Sequence, residues 1–271
     1  MCENAQLIEQ LRDFGGKPAR TVVFDFDGTI GMVRAGWMPL MLDMMMETLA
    51  PLGPDRAALY NEAEAYVARF TGQDTVEQTN AFAAHVGRLG GQPLTGAEYK
   101  AEFLRRLERL RGERLNALRR GDIPPDSLLI PGARAFLQVL GEADIPLYLA
   151  SGSDHADISM EAELLGIAGY FRGIYGSAPG VPNKREVLEM LVGQGIQAGE
   201  ILTFGDGRTE IELTSRIGGR TVGVASDEPE CVEVDQKKRR WLIEAGAEYI
   251  IPNYLEPGLI STVTNGCWRI L

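Results

Sequence analysis

The chain has 271 residues, with 27 Lys+Arg against 38 Asp+Glu and a formal net charge of −11. Its 45% hydrophobic and 24% charged composition is that of a globular protein with enough apolar material for a core, and the length suits one large domain or a domain carrying a big insertion. The acidity argues against a general nucleic-acid binder, which needs Lys and Arg to displace counterions from phosphates. No apolar run approaches the ~20 residues needed to cross a bilayer, so neither nucleic acid nor membrane is an expected partner.

Residues 1–16 carry Glu3, Glu9 and Asp13 and no apolar stretch, unlike a secretory signal. Cys2, Cys231 and Cys267 are an odd, widely spaced set without a CxxC pair. That disfavours a disulfide framework or a zinc site and makes a reducing cytoplasm the expected compartment. Nothing in the sequence specifies an oligomeric state.

In chain order, residues 21–26 (TVVFDF) form a short apolar, β-branched run closed by the turn-forming Asp27-Gly28. Near-continuous hydrophobicity of this length predicts a strand buried on both faces, as in a parallel sheet. Similar runs recur at 145–150, 201–204, 221–225 and 249–251, with helix-period segments between them at 133–142, 155–165, 184–192, 209–217 and 237–245. This alternation predicts a doubly wound α/β sheet. From 32 to 130 the rhythm is absent, and helices are expected at 37–49, 55–70, 76–89 and 97–119. The division is therefore an α/β core, 1–31 and 131–271, with an inserted all-helical domain at 32–130. The insertion holds 12 basic and 13 acidic residues, the core 15 and 25, so the acidity belongs to the core, where carboxylates could serve a cation. Met41, Met44, Met45 and Met46 read as helix packing, and the basic residues of 97–120 as a solvated helix face.

Asp25 and Asp27, in Asp25-Phe26-Asp27-Gly28-Thr29, stand where a buried strand gives way to a loop. Residues i and i+2 of an extended segment point the same way, and ligands of such sheets bind beyond the carboxyl ends of the strands. Two carboxylates so placed repel each other unless a cation lies between them or one keeps its proton; an ordinary Asp-Gly turn is the alternative. Ser151-Gly152-Ser153-Asp154 follows another apolar run and precedes a helix, which suits a phosphate receptor or a simple N-cap. Asp206 and Glu210, in Gly205-Asp206-Gly207-Arg208-Thr209-Glu210, repeat the pattern, either as carboxylates for a hard cation or as a turn whose acid complements a helix dipole. Lys184 starts another helix.

These four segments, in this order, resemble the haloacid dehalogenase superfamily of phosphohydrolases, over about residues 19–31 and 130–254. The resemblance implies that Asp25 is a nucleophile that becomes an aspartyl phosphate and Asp27 the general acid/base. Ser151, with Gly152, would hold phosphoryl oxygens, and Lys184 would balance their charge. Mg2+ would be bound by Asp25, Asp27 (through its backbone carbonyl), Asp206 and Glu210, the last standing where many members carry Asp. The insertion lies where the family places a cap, since about 120 residues separate Asp27 from Ser151 and 32 separate Ser151 from Lys184. Arg34 and Trp37, just after the first segment, are candidate contacts to the part of the substrate beyond the phosphate, or else a surface arginine and a packing tryptophan. The expected activity is a Mg2+-dependent phosphatase of a small phosphorylated metabolite. A phosphosugar mutase of the same superfamily would share every core residue, and a non-catalytic phospho-acceptor module would not need the helical insertion.

Overall fold

The structure, a computed structural model, describes residues 8–12, 18–53, 55–259 and 261. Cys2 and Cys267, and all of 1–16 except 8–12, lie outside the described residues, whereas Cys231 is a buried free thiol. The chain runs β1 (Glu9–Gln10), β2 (Thr21–Phe24), α1 (Trp37–Leu49), α2 (Arg56–Phe70), α3 (Thr75–Arg88), α4 (Gly96–Arg120) and α5 (Ala133–Glu142). It continues through β3 (Leu147–Asp154), α6 (His155–Leu164), β4 (Gly173–Ser177), α7 (Lys184–Gly193), β5 (Ile201–Gly205), α8 (Arg208–Arg216), β6 (Arg220–Val224), α9 (Gln236–Ala245) and β7 (Tyr249–Ile251).

The strands form one sheet in the order β1-β7-β6-β5-β2-β3-β4, parallel throughout except for β1 against β7. All residues of β2, β5, β6 and β7 are buried, as their unbroken apolar runs require. Phe24 stacks on Phe204 at 5.0 Å between centroids, and Phe136 of α5 meets both edge-on, so helix and sheet share one core. Two strands are absent from the sequence reading. β4 carries two glycines and is only half-buried, and β1 is a two-residue polar edge, so neither presents the hydrophobic run that marks the others.

Strand β2 lies between β3 and β5, and the chain leaves it toward opposite edges of the sheet: β3 and β4 on one side, β5, β6 and β7 on the other. A crevice opens beyond the strand ends at such a reversal.

Helices α1 to α4 build a second hydrophobic cluster around Met41, Met44, Met45, Leu49, Phe82 and Phe103, apart from the sheet core. Helix α4 starts with a capping box between Thr95 and Glu98 and ends at Gly121, whose left-handed φ of 74° closes it. Its last turns leave this cluster: Leu115 and Leu118 pack into the sheet core with Met32 and Leu129. The two chain segments joining the helices to the sheet are paired, Met32 N–H donating to Leu128 O and Ile130 N–H to Ile30 O, both at 2.8 Å. Among the described residues no helix is long and apolar enough to cross a membrane.

Candidate active site

The ends of β2, β3 and β5 and the first turn of α7 bring Asp25, Ser151, Asp206 and Lys184 together. Asp25 follows β2 directly, its N–H bonded to Phe204 O of β5 at 2.9 Å. Gly28, with φ of 71°, turns the chain so tightly that a Cβ there would overlap Asp206 Oδ2. Lys184 heads α7 behind the Asn183–Glu186 capping box, which aims its side chain back at the strand ends.

Lys184 Nζ lies 2.8 Å from Asp25 Oδ1 and 2.7 Å from Glu210 Oε2, with all three residues buried. Glu210 Oε1 accepts the Gly207 N–H at 2.7 Å, so both of its oxygens already have donors. On the far side Lys238 Nζ approaches Asp206 Oδ2 at 3.3 Å and Glu228 Oε1 at 2.5 Å. Asp25, Asp206 and Glu210 each offer an oxygen within 4.8 Å of the other two. Burial raises the Asp25 carboxyl well above the usual range, with Glu210 and Asp206 adding to it against the pull of Lys184. Burial likewise lifts Asp206 to about 7, with Lys238 opposing and Glu210 and Glu228 reinforcing. Burial alone would lower both lysines, but the carboxylates around them outweigh it and raise each above an ordinary ammonium.

This donor set fits a hard divalent cation. Four buried or nearly buried carboxylates (Asp25, Asp206, Glu210, Glu228) face two ammonium groups (Lys184, Lys238), which leaves two negative charges uncompensated when all are ionised. The upward shifts of Asp25 and Asp206 come first from burial, and this repulsion adds to them. An oxygen-seeking cation would relieve it.

Asp27 points elsewhere. Its Oδ1 accepts from Arg34 Nη1 at 3.0 Å and its Oδ2 from the Ser153 hydroxyl at 2.6 Å. Arg34, 5% exposed, also pairs with the fully buried Glu161 of α6 at 2.7 Å. Its guanidinium is thus committed to the carboxylates of Asp27 and Glu161, although the residue does line the cavity. Glu161 is shared with Arg111 of α4, whose Nη2 also reaches Asp157 at 2.6 Å. Burial lifts Glu161 to about 7 despite these two arginines. Arg111 is 8% exposed and Arg114 donates to the carbonyls of Val33 and Ala35 at 2.9 and 2.7 Å. Part of the stretch read as a solvated basic face is therefore a buried junction. Carboxylates and carbonyls from the sheet side, invisible in a helix pattern, claim these arginines.

Ser151 Oγ accepts the Ser153 N–H at 3.1 Å. Gly152 lets the α2–α3 loop press close, for a Cβ there would overlap the Gln73 carbonyl oxygen. The same loop meets the core where Thr209 Oγ1 donates to Thr71 O at 3.0 Å and where the Ser177 hydroxyl bonds Asp74. Between helices and sheet it borders a cavity of about 80 Å3, lined by Asp25, Asp27, Asp206 and Ser151 from the sheet and by Trp37, Gln78 and Phe103 from the helices.

Sequence reasoning missed Lys238, Glu228, Glu161, Arg111 and Ser153. Ser153 could have been found in the Ser-Gly-Ser run, and Asp157 with Glu161 as an acidic i, i+4 pair on one helix face. Lys238, within the Lys-Lys-Arg-Arg run of α9, carries no local mark.

Comparison with curated proteins finds no match. Solved structures similar to this one include a phosphonoacetaldehyde hydrolase-like protein from Oleispira antarctica, 16% identical with a TM-score of 0.60, covering 95% of this chain and 96% of that one. A proposed beta-phosphoglucomutase from Bacteroides vulgatus is 17% identical with a TM-score of 0.58, covering 94% and 93% respectively. A predicted phosphoglycolate phosphatase from Haemophilus somnus is 16% identical with a TM-score of 0.57, covering 91% and 100%. At such identities these likenesses speak for the fold alone. The family model of the haloacid dehalogenase-like hydrolases matches residues 19–218, and the chain belongs to that family.

Proposed function

We propose that this protein is a Mg2+-dependent phosphatase that hydrolyses a small phosphorylated metabolite through an aspartyl phosphate on Asp25. The observation that carries the reading is the buried triangle of Asp25, Asp206 and Glu210 with Lys184 bridging two of its members. Asp25 and Asp206 would hold the ion, with Glu210 beside them directly or through water and the Asp27 carbonyl completing the protein's share. When bound, Mg2+ would withdraw charge from the phosphoryl oxygens and offset the repulsion between two anions.

An Asp25 oxygen attacks phosphorus, and the bond to the leaving oxygen breaks as Asp27 gives that oxygen a proton. Lys184 and the Ser151–Gly152 segment stabilise the charge that develops on the equatorial oxygens. Asp27 then takes a proton from water, which attacks the acyl phosphate, frees inorganic phosphate and returns Asp25 as a carboxylate. Arg34 and Ser153 hold the two Asp27 oxygens in fixed directions for both transfers. Residues 32–130 act as a cap that keeps bulk water from the phosphoryl transfer to Asp25, with 1–31 and 131–271 as the catalytic core. The reducing cytoplasm is the proposed setting, consistent with the unpaired, buried Cys231.

Asp25→Asn tests the reading: it should abolish p-nitrophenyl phosphate hydrolysis while keeping the wild-type circular dichroism spectrum, and wild-type-like turnover would refute the nucleophile. Release of inorganic phosphate from a sugar-phosphate panel separates hydrolysis from the mutase alternative.

A further inference from the structure

We propose that the leaving group of the substrate is uncharged and hydrogen-bonding, and that the Gln78 carboxamide recognises it. The inference rests on the phosphatase reading above and adds the chemistry of the substrate's other half.

Gln78 is 5% exposed and lines the cavity that holds Asp25 and Asp27. Its Nε2 is buried with no hydrogen-bond partner among the described residues. A buried amide without a partner is costly, and which of its two ends faces the cavity is interchangeable. The backbone around it is fixed, for Gln78 N–H donates to Asp74 O at 3.1 Å and the Tyr66 hydroxyl to Gln78 O at 3.4 Å. A carboxamide carried on fixed backbone at the wall of an active cavity, its nitrogen without a partner, is a recognition element.

The charges of the cavity point the same way. Arg34 and Lys100 are the cations among its described lining residues, and both are spent. Arg34 is held by Asp27 and Glu161, and Lys100 by Asp154 at 2.8 Å. An anionic tail would find carboxylates and no free cation, and a cationic tail would find the acids outside the proposed metal site, Asp27, Asp154 and Asp157, already paired. The polar side chains left over are neutral, Gln73 and Thr75 beside Gln78, facing the apolar wall of Trp37, Phe103 and Leu107.

Four two-carbon esters of nearly equal size test this with Mg2+ present: 2-hydroxyethyl phosphate, ethyl phosphate, phosphoethanolamine and phosphoglycolate. The expected result is a kcat/KM for 2-hydroxyethyl phosphate about tenfold above each of the others, the size of one well-made buried hydrogen bond. Gln78→Leu should bring the ratio of 2-hydroxyethyl to ethyl phosphate from about ten to about one, through KM. Gln78→Glu, which sets an anion at the same place, should turn the preference toward phosphoethanolamine, so the inference stands or falls even if the leucine variant does not fold. Preference of the wild type for phosphoglycolate or phosphoethanolamine, or an unchanged ratio in a folded Gln78→Leu protein, overturns it. Failure to turn over any ester, p-nitrophenyl phosphate included, overturns the phosphatase reading itself and this inference with it.

Discussion

Arg34 and Glu161 lie 127 residues apart in sequence and meet at 2.7 Å, with Glu161 fully buried and Arg34 nearly so. Arg34 passes that contact on to Asp27, and Glu161 passes it on to Arg111 of α4. The direction of the Asp27 carboxylate is thus tied to the seating of helices α1 to α4 on the sheet. Glu161→Ala leaves two buried guanidinium groups short of a partner. Breaking such a buried pair costs on the order of 3–5 kcal/mol, which urea denaturation should read as a lowered midpoint. A change under ~1 kcal/mol would show the network to be dispensable to the fold.

Gly28 occupies a left-handed turn with Asp206 where a side chain would go. Gly28→Ala meets both a strained backbone and a displaced carboxylate. Mg2+-dependent turnover should fall by at least about tenfold, with a raised Mg2+ requirement, the expected scale for a misplaced catalytic group being large. Wild-type Mg2+ titration curves would contradict this.

Asp206 binds its proton up to about pH 7 in the folded chain, against about 4 when unfolded. Between those values the native state holds more protons than the unfolded one, so this carboxyl's contribution to the stability of the metal-free protein declines as pH rises through the window. On the proposed reading, Mg2+ would compete with that proton for the carboxylate. Its stabilising effect on Tm should therefore be large at pH 8 and shrink toward pH 5, and EDTA should abolish activity. An equal Mg2+ increment at both pH values would count against the assigned ligand.

Asp27→Asn separates the two halves of the reaction. p-Nitrophenolate leaves without a proton, so the variant should release a burst of up to one equivalent and then stall as water goes unactivated. Alkyl phosphates, whose leaving oxygen needs the proton, should show no burst. Steady turnover lowered by ~10²–10⁴-fold is the expected size for a lost general acid/base, and stopped-flow absorbance reads both phases.

Much of the frame was legible in the chain. Helices α1 and α5 begin and end where the pattern sets them, and β7 likewise, because buried strands and amphipathic helices write their burial in periodicity. The meeting of Asp25, Asp206 and Lys184 was legible too, since each sits at a boundary that the sheet brings to one edge. What stayed hidden were partnerships set by tertiary distance. Arg34 showed no partner because nothing near it in sequence points to Glu161, and Lys238 went unremarked because Asp206 lies 32 positions before it.

The backbone bonds that link 30 with 130 and 32 with 128 mean that the way into the helical insertion and the way out lie side by side. A segment whose ends nearly touch can be replaced by a short turn or exchanged for another without stretching the sheet. Divergence of this protein's selectivity could then proceed by wholesale substitution of that cassette, the hydrolytic machinery beneath it remaining as it is.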